Sequence, residues 1–318
     1  MPYAGELAAL MAAVAFSITS TSFTLAGRSY TPIHLMRASL PLSMVFLLPL
    51  HWALTGQALP LGLEPERWLY LGVSGVIGFW LGSVAIVNAF MRIGPRLTLL
   101  ITATSPILST IMAWVLLDQT LERDSLFGIL LTIGGIIYVV SGRRGSTGTL
   151  PNGGSYRAGV IFALGGALGQ ATSFIFSTLG LAAPDAAVNL FAFDGLALVS
   201  LTSFHPLTAS LMRLIVAMIA IWLAAVLRGR VISSLQAMRV RPTDARFLLV
   251  GAVTGPVIGA SLVMISLQLI PVGVSSTLAN LTPLFLIPLS ALVFKEQITL
   301  RAGVGTIIAI VGVALLFL

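Results

Sequence analysis

The chain has 318 residues, of which 57% are hydrophobic and only 8% charged, with a mean hydropathy of +1.04. A soluble domain carries about 25% charged residues, so this chain cannot cover a water-facing surface and lipid must solvate most of it. Its net charge of +7 rests on 17 basic and 10 acidic residues. The basic ones are Arg except for Lys295, and they sit between apolar runs, which is a membrane-topology signal and argues against a nucleic-acid partner. With no cysteine, disulfides, thiolate metal sites and Cys catalysis are excluded.

A membrane-crossing helix needs about 20 mostly apolar residues. Runs of that kind predict spans at 5–27, 32–54, 68–91, 96–117, 125–142, 158–181, 206–227, 247–269, 274–294 and 300–318. The first run lacks basic residues ahead of it and a small-residue cleavage site behind it, so it reads as a membrane helix and not as a signal peptide. Short connections make consecutive helices antiparallel neighbours. The stretch 184–205 is too apolar for a loop yet carries Asn189, Asp194 and Gly195, and it reads as an interfacial or re-entrant segment in preference to an eleventh span. The segments 143–157 and 228–246, both rich in Arg, read as true loops.

The chain repeats itself. A shift of 177 places Thr104-Ser105-Pro106 on Leu281-Thr282-Pro283, Leu117-Asp118-Gln119 on Phe294-Lys295-Glu296, Gly128 on Gly305 and Gly135 on Gly312. A shift of 176 places Leu35-Met36-Arg37 on Leu211-Met212-Arg213, and one of 153 places Ser17, Ser20 and Thr24 on Gln170, Ser173 and Ser177. Matches in the same order along the chain define two five-helix halves: a first repeat at 1–145, a linker at 146–157, and a second repeat at 158–318 carrying the insert 184–205. An odd number of crossings per half inverts one half relative to the other. The expected fold is all-α: about ten transmembrane helices in two inverted five-helix repeats, with a site near the midplane where they meet.

These residues resemble the drug/metabolite transporter superfamily, in particular its ten-helix proteins with two EamA-type domains. The resemblance rests on Arg37 and Arg213 in the second helix of each half, Pro106 and Pro283 in the fourth, and Glu296 before the Gly-rich last helix. Gln119 departs from the Glu common at that position. The resemblance implies export of small organic solutes, amino acids among them, and termini in the cytoplasm.

Polar residues within the spans are the candidate site, because lipid offers them no hydrogen bonds. Helix 1 carries Ser17, Ser20, Thr21 and Thr24 at a spacing that puts them on one face. Helix 6 carries Gln170, Ser173 and Ser177; helix 4 carries Thr98, Thr102, Ser105 and Ser109; helix 9 carries Ser276 and Asn280. The hydroxyls suit helix–helix contacts or a substrate path, whereas the amides of Asn88, Gln170, Gln268 and Asn280 are costlier to bury and favour the path. Trp80 and Trp114 suit packing or stacking on a substrate; Trp52 and Trp68 suit the interface belt. Pro106 and Pro283 should kink their helices. Arg37 and Arg213, one turn inside their spans, serve either as gating and structural residues or as cations that snorkel to headgroups.

No span carries a carboxylate at its centre, so no proton carrier is visible. His34, His51 and His205 are scattered, and HExxH, GxSxG and GxxxxGK[ST] motifs are missing, so neither catalytic residues nor a metal or cofactor is expected. The expectation is a secondary transporter, an exporter or exchanger working by alternating access, in a bacterial-type inner membrane. A non-transporting scaffold or receptor is the alternative, with a membrane enzyme behind it. The expected partners are a small-molecule substrate and the bilayer, with monomer and homodimer both open. Topology is contested: the positive-inside bias makes 143–157 and 228–246 cytoplasmic and hence the termini external, opposite to what the resemblance implies.

Overall fold

A computed structural model describes residues 3–27, 30–60, 62–120, 122–142, 156–182, 204–237, 242–286, 289 and 300–315. Every regular element among them is helical. In the first half these are α1 (Ala4–Ala26), α2 (Pro32–Thr55), α3 (Pro65–Gly75), a π-helical segment π1 (Val76–Gly82), α4 (Ser83–Thr102), α5 (Ser105–Leu117) and α6 (Arg123–Gly142). The second half has α7 (Tyr156–Leu181), α8 (Pro206–Leu227), a short α9 (Val231–Ala237), α10 (Pro242–Ala252), π2 (Val253–Gly259), α11 (Ala260–Leu269), α12 (Val272–Ala279) and α13 (Leu300–Leu315). Most of the insert 184–205, the loop 143–155 and the Lys295-Glu296 pair lie outside the described residues.

Proline sets several helix starts. Pro32, Pro65 and Pro206 occupy the first turn, where a missing N–H costs nothing. Beside Pro206 the ring of His205 accepts a bond from the Leu207 N–H at 3.3 Å. Gly56 ends α2 at φ 72, a left-handed cap that glycine adopts without strain.

The two halves interrupt their helices at matching places. π1 and π2 are each seven residues long and 177 residues apart, and Gly78 and Gly82 fall on Gly255 and Gly259. A second interruption, at Ala103-Thr104, matches Asn280-Leu281 at the same shift. In both halves helix resumes just ahead of Pro106 and Pro283, so the prolines lie at the start of a resumed helix and the kink precedes them. The spans predicted at 68–91 and 96–117 need one adjustment. Helical structure continues through the turn between them, so α4 covers the end of one crossing and the start of the next. Leu71 and Leu117 meet in one core cluster, which requires the chain to reverse within α4. The matching reversal in the second half is at Ile270-Pro271, where Ile270 is extended.

The halves interlock. α1 packs along α10, π2 and α11 of the other half, and α7 packs in the same way along α3, π1 and α4. α2 pairs with α8, α5 with α12, and α6 with α13. Hydroxyl contacts join the same pairs: Thr19 with Thr254 at 2.8 Å, Ser74 with Ser177 at 2.7 Å, and Ser109 with Ser276 at 2.6 Å. Gln119, which departs from the common Glu, accepts the Val272 N–H at 3.1 Å and so caps α12 from the end of α5.

Small residues set the closest approaches. A Cβ on Gly135 would lie 2.6 Å from the Ala309 nitrogen and 2.8 Å from the Gly305 oxygen, whereas one on Gly134 meets nothing. We therefore expect Gly135→Ala to lower thermal stability in detergent by about 1–3 kcal/mol. Gly134→Ala should leave it unchanged or raise it by up to about 1 kcal/mol through helix propensity. Equal melting of the two purified variants would contradict the α6–α13 contact.

Candidate functional site

A cavity of about 570 Å³ lies between the halves, a size suited to a small organic molecule. Its wall is formed by the second half of α1, the first half of α2, π1 with the start of α4, the middle of α7, π2 with α11, and the two helix interruptions. It extends to Gly27, Tyr30 and Pro32, at the face where α1 ends and α2 begins. The helix ends flanking the loops at 143–155 and 228–241 lie at that same face, called the Arg-rich face below.

At the opposite end the bundle is closed. Ala12, Leu71, Leu117, Leu179, Met212, Leu267 and Val272 form one buried cluster there. They come from α1, α3, α5, α7, α8, α11 and α12, so the plug draws on both repeats. Beside it the Ser74–Ser173–Ser177 and Ser266–Ser275 hydroxyls satisfy one another.

Of the predicted site residues, Ser20, Thr102, Gln170, Ser173 and Asn280 line the cavity, as do Thr24 and Ser177. Gln170 has no hydrogen-bond partner among the described residues, and the Asn280 amide donates to the Ser276 carbonyl at 2.8 Å. The others lie elsewhere. Ser17 and Thr21 are buried and donate back to the Val14 and Ser17 carbonyls, and Ser105 is buried without a partner. The stripe on α1 therefore faces two ways: Ser20 and Thr24 look into the cavity, and Ser17 and Thr21 look into packed protein. Asn88 donates to the Val84 carbonyl and Gln268 to the Phe204 carbonyl, so both amides are satisfied away from the cavity. Trp80 packs against the cluster around α2 and α8, and its neighbour Phe79 is the ring that reaches the cavity. Trp114 is 60% exposed on the outer surface.

The two repeat-related arginines diverge. Arg37 is buried and donates to the Ser234 hydroxyl at 2.6 Å, tying the start of α2 to α9 outside the cavity. Arg213 lines the cavity near the plug, only 6% exposed. It donates to the Ser173 hydroxyl at 3.0 Å and to the Met264 sulfur at 3.5 Å, and its guanidinium carbon lies 4.9 Å above the Phe79 ring. Its Nε has no partner. The single ion pair among the described residues is Arg67 with Glu64, so Arg213 has no described carboxylate beside it. Helix 2 of the first half was missed as cavity wall, where it contributes Met36, Ser39 and Leu40. Mostly apolar positions on that helix carry no sequence signal separating cavity from core.

The three histidines have local roles. His51 bonds Thr208 at 2.9 Å, His34 bonds Thr31 at 2.8 Å, and His205 caps α8.

The EamA-like transporter family model matches residues 3–141 and again 157–318, one match to each half. The chain belongs to that family. No curated protein matches it. A solved structure described as "Crystal structure of protein" superposes with a TM-score of 0.72 at 16% identity, covering 99% of this chain and 96% of that one. At that identity the likeness concerns the fold. The protein is thus an integral multi-pass membrane transporter of the EamA type.

The division between cavity and packed amides gives a test. Gln170→Leu and Asn280→Leu should lower saturable flux in proteoliposomes about five- to tenfold, the worth of one hydrogen bond, with near-normal yield. Gln268→Leu, which strands the Phe204 carbonyl, should lower the melting temperature and leave the flux per folded molecule unchanged. The reverse pattern would contradict the assignment of the cavity wall.

Proposed function

We propose that this EamA-type protein is a secondary transporter of small organic metabolites, amino acids among them, working by alternating access as an exporter or exchanger. The observation that carries the reading is a cavity between the repeats that reaches one face and is plugged at the other. A solid bundle would have favoured a scaffold.

The inverted repeat supports a second state. Arg213 bonds Ser173, and the shift of 153 makes Ser20 the counterpart of Ser173. Arg37, the counterpart of Arg213, would meet Ser20 if the halves exchanged conformations. Both partners for the exchanged contact are already in place.

The positive-inside bias assigns the Arg-rich face to the cytoplasm, in a bacterial-type inner membrane. The open cavity then loads from inside, as export requires. No carboxylate lines the cavity among the described residues, which supports exchange or facilitated movement over proton coupling.

Two measurements check this. A topology reporter placed within 146–154 should report a cytoplasmic position, and a periplasmic signal would reverse the direction of loading. Proteoliposomes preloaded with a mixture of unlabelled amino acids should show counterflow of the labelled mixture. Strong accumulation driven by an imposed proton gradient would overturn the uncoupled reading.

A further inference from the structure

Arg213 is the feature that the packing of the bundle leaves unexplained. A cation inside hydrocarbon costs about 2.5–3.5 kcal/mol even on the lenient insertion scales, and natural proteins offset it with a carboxylate or several strong acceptors. Arg213 has one hydroxyl, one thioether sulfur and one ring face. Two of its five N–H donors are so engaged, its Nε has none, and the sulfur is a weak acceptor.

The surroundings hold the side chain firmly. Ser173, which accepts from Arg213, donates its own proton to the Ser74 carbonyl at 3.0 Å, so the hydroxyl is locked in its acceptor role. Phe79 reaches the guanidinium from π1, where the wider helix shifts the register and lets Gly78 pack against Ser173. Arg37 is also short of acceptors, with one hydroxyl and an unpartnered Nε, but it lies outside the cavity; Arg213 combines that shortage with a place on the cavity wall. It is preorganised and left short of acceptors at the closed end of the cavity.

We propose that Arg213 binds the carboxylate of a substrate carrying a single carboxylate, whose apolar part lies along Phe16, Phe23, Phe174 and Val263. This rests on the transport reading above and names the chemical group that the cavity selects. A carboxylate matches the planar fork of a guanidinium and neutralises a single positive charge. A phosphate dianion would leave one negative charge buried, with no second described cation lining the cavity.

The test is binding to the purified protein in detergent, followed by thermal stabilisation. The probes are propionate, hexanoate and 3-phenylpropionate, each with its matched alcohol and amine, and inorganic phosphate. Hexanoate and 3-phenylpropionate should stabilise the wild type in a saturable way, at least about tenfold more tightly than their alcohols, the difference expected of a charge-assisted pair. The amines and phosphate should have no effect. In Arg213→Gln the carboxylate and alcohol should become equivalent. Since that variant could fail to fold, Arg213→Lys provides a second check: it retains the charge, and should keep the preference for carboxylate with weaker affinity. Arg37→Lys should leave the pattern intact.

Equal binding of carboxylate and alcohol, tighter binding of amine or phosphate, no carboxylate binding at all, a carboxylate preference that persists in a folded Arg213→Gln, or an undiminished carboxylate affinity in Arg213→Lys would each overturn the proposal. Counterflow with no preference for carboxylate-bearing solutes would overturn this proposal alone. Carboxylate binding through Arg213 without counterflow would sustain it and overturn the transport reading instead.

Discussion

Hydrocarbon offers no hydrogen bonds, and the arrangement of this bundle follows from that constraint. Each hydroxyl, amide and guanidinium in a span must find protein or line a water-accessible space. Most of the hydroxyls are satisfied locally, as when Thr21 donates to the Ser17 carbonyl, or across the seam, as when Ser109 meets Ser276. Such contacts fasten one repeat to the other while leaving the outer surface apolar. A few buried hydroxyls, Ser105, Ser210 and Ser261 among them, stay unpartnered inside the packed bundle, whereas Gln170 and Arg213 bring their unused donors to the cavity wall.

The interlock of the halves turns duplication into a mechanism. Each half lays its first helix along the π-interrupted third crossing of the other. The glycines of π1 and π2 allow close approach: a Cβ on Gly255 would lie 2.8 Å from the Thr19 methyl, and one on Gly259 would lie 2.6 Å from the Phe16 ring. π-helical turns often mark functional positions, because they reorient side chains without ending the helix. The two halves nevertheless stand in different states. Arg213 faces the cavity and Arg37 faces α9, an asymmetry that inverted repeats produce when one end is open and the other closed.

Much of the fold was legible in the sequence. Composition required a membrane protein, apolar runs located the helices, and the 177-residue shift foretold the matched prolines and their kinks. It extends further than the residues that revealed it, since π1 and π2 obey it too. The site was legible only in part. Periodicity identifies a face without naming its neighbour, so Ser17 and Ser20 could not be told apart on α1. Phe79 was not singled out, because nothing in the sequence shows that the π segment brings Phe79 to the cavity wall and leaves Trp80 off it. Among the amides, Asn88 and Gln268 satisfy themselves on nearby carbonyls, a choice that depends on backbone positions and not on residue type. Arg213 and Arg37 are equivalent by repeat and differ by conformation, a distinction that no sequence pattern encodes.

The absence of cysteine makes the central claim directly accessible to experiment. A single Ser20→Cys substitution places a thiol on the cavity wall, and an Ala12→Cys substitution places one inside the plug. Each can be challenged with a membrane-impermeant maleimide in intact cells and in inside-out vesicles. For alternating access from the conformation described, the expected result is labelling of Ser20→Cys predominantly from the Arg-rich face, with Ala12→Cys protected from both faces. Equal labelling of Ser20→Cys from both sides at once, or ready labelling of Ala12→Cys from the opposite face, would contradict it.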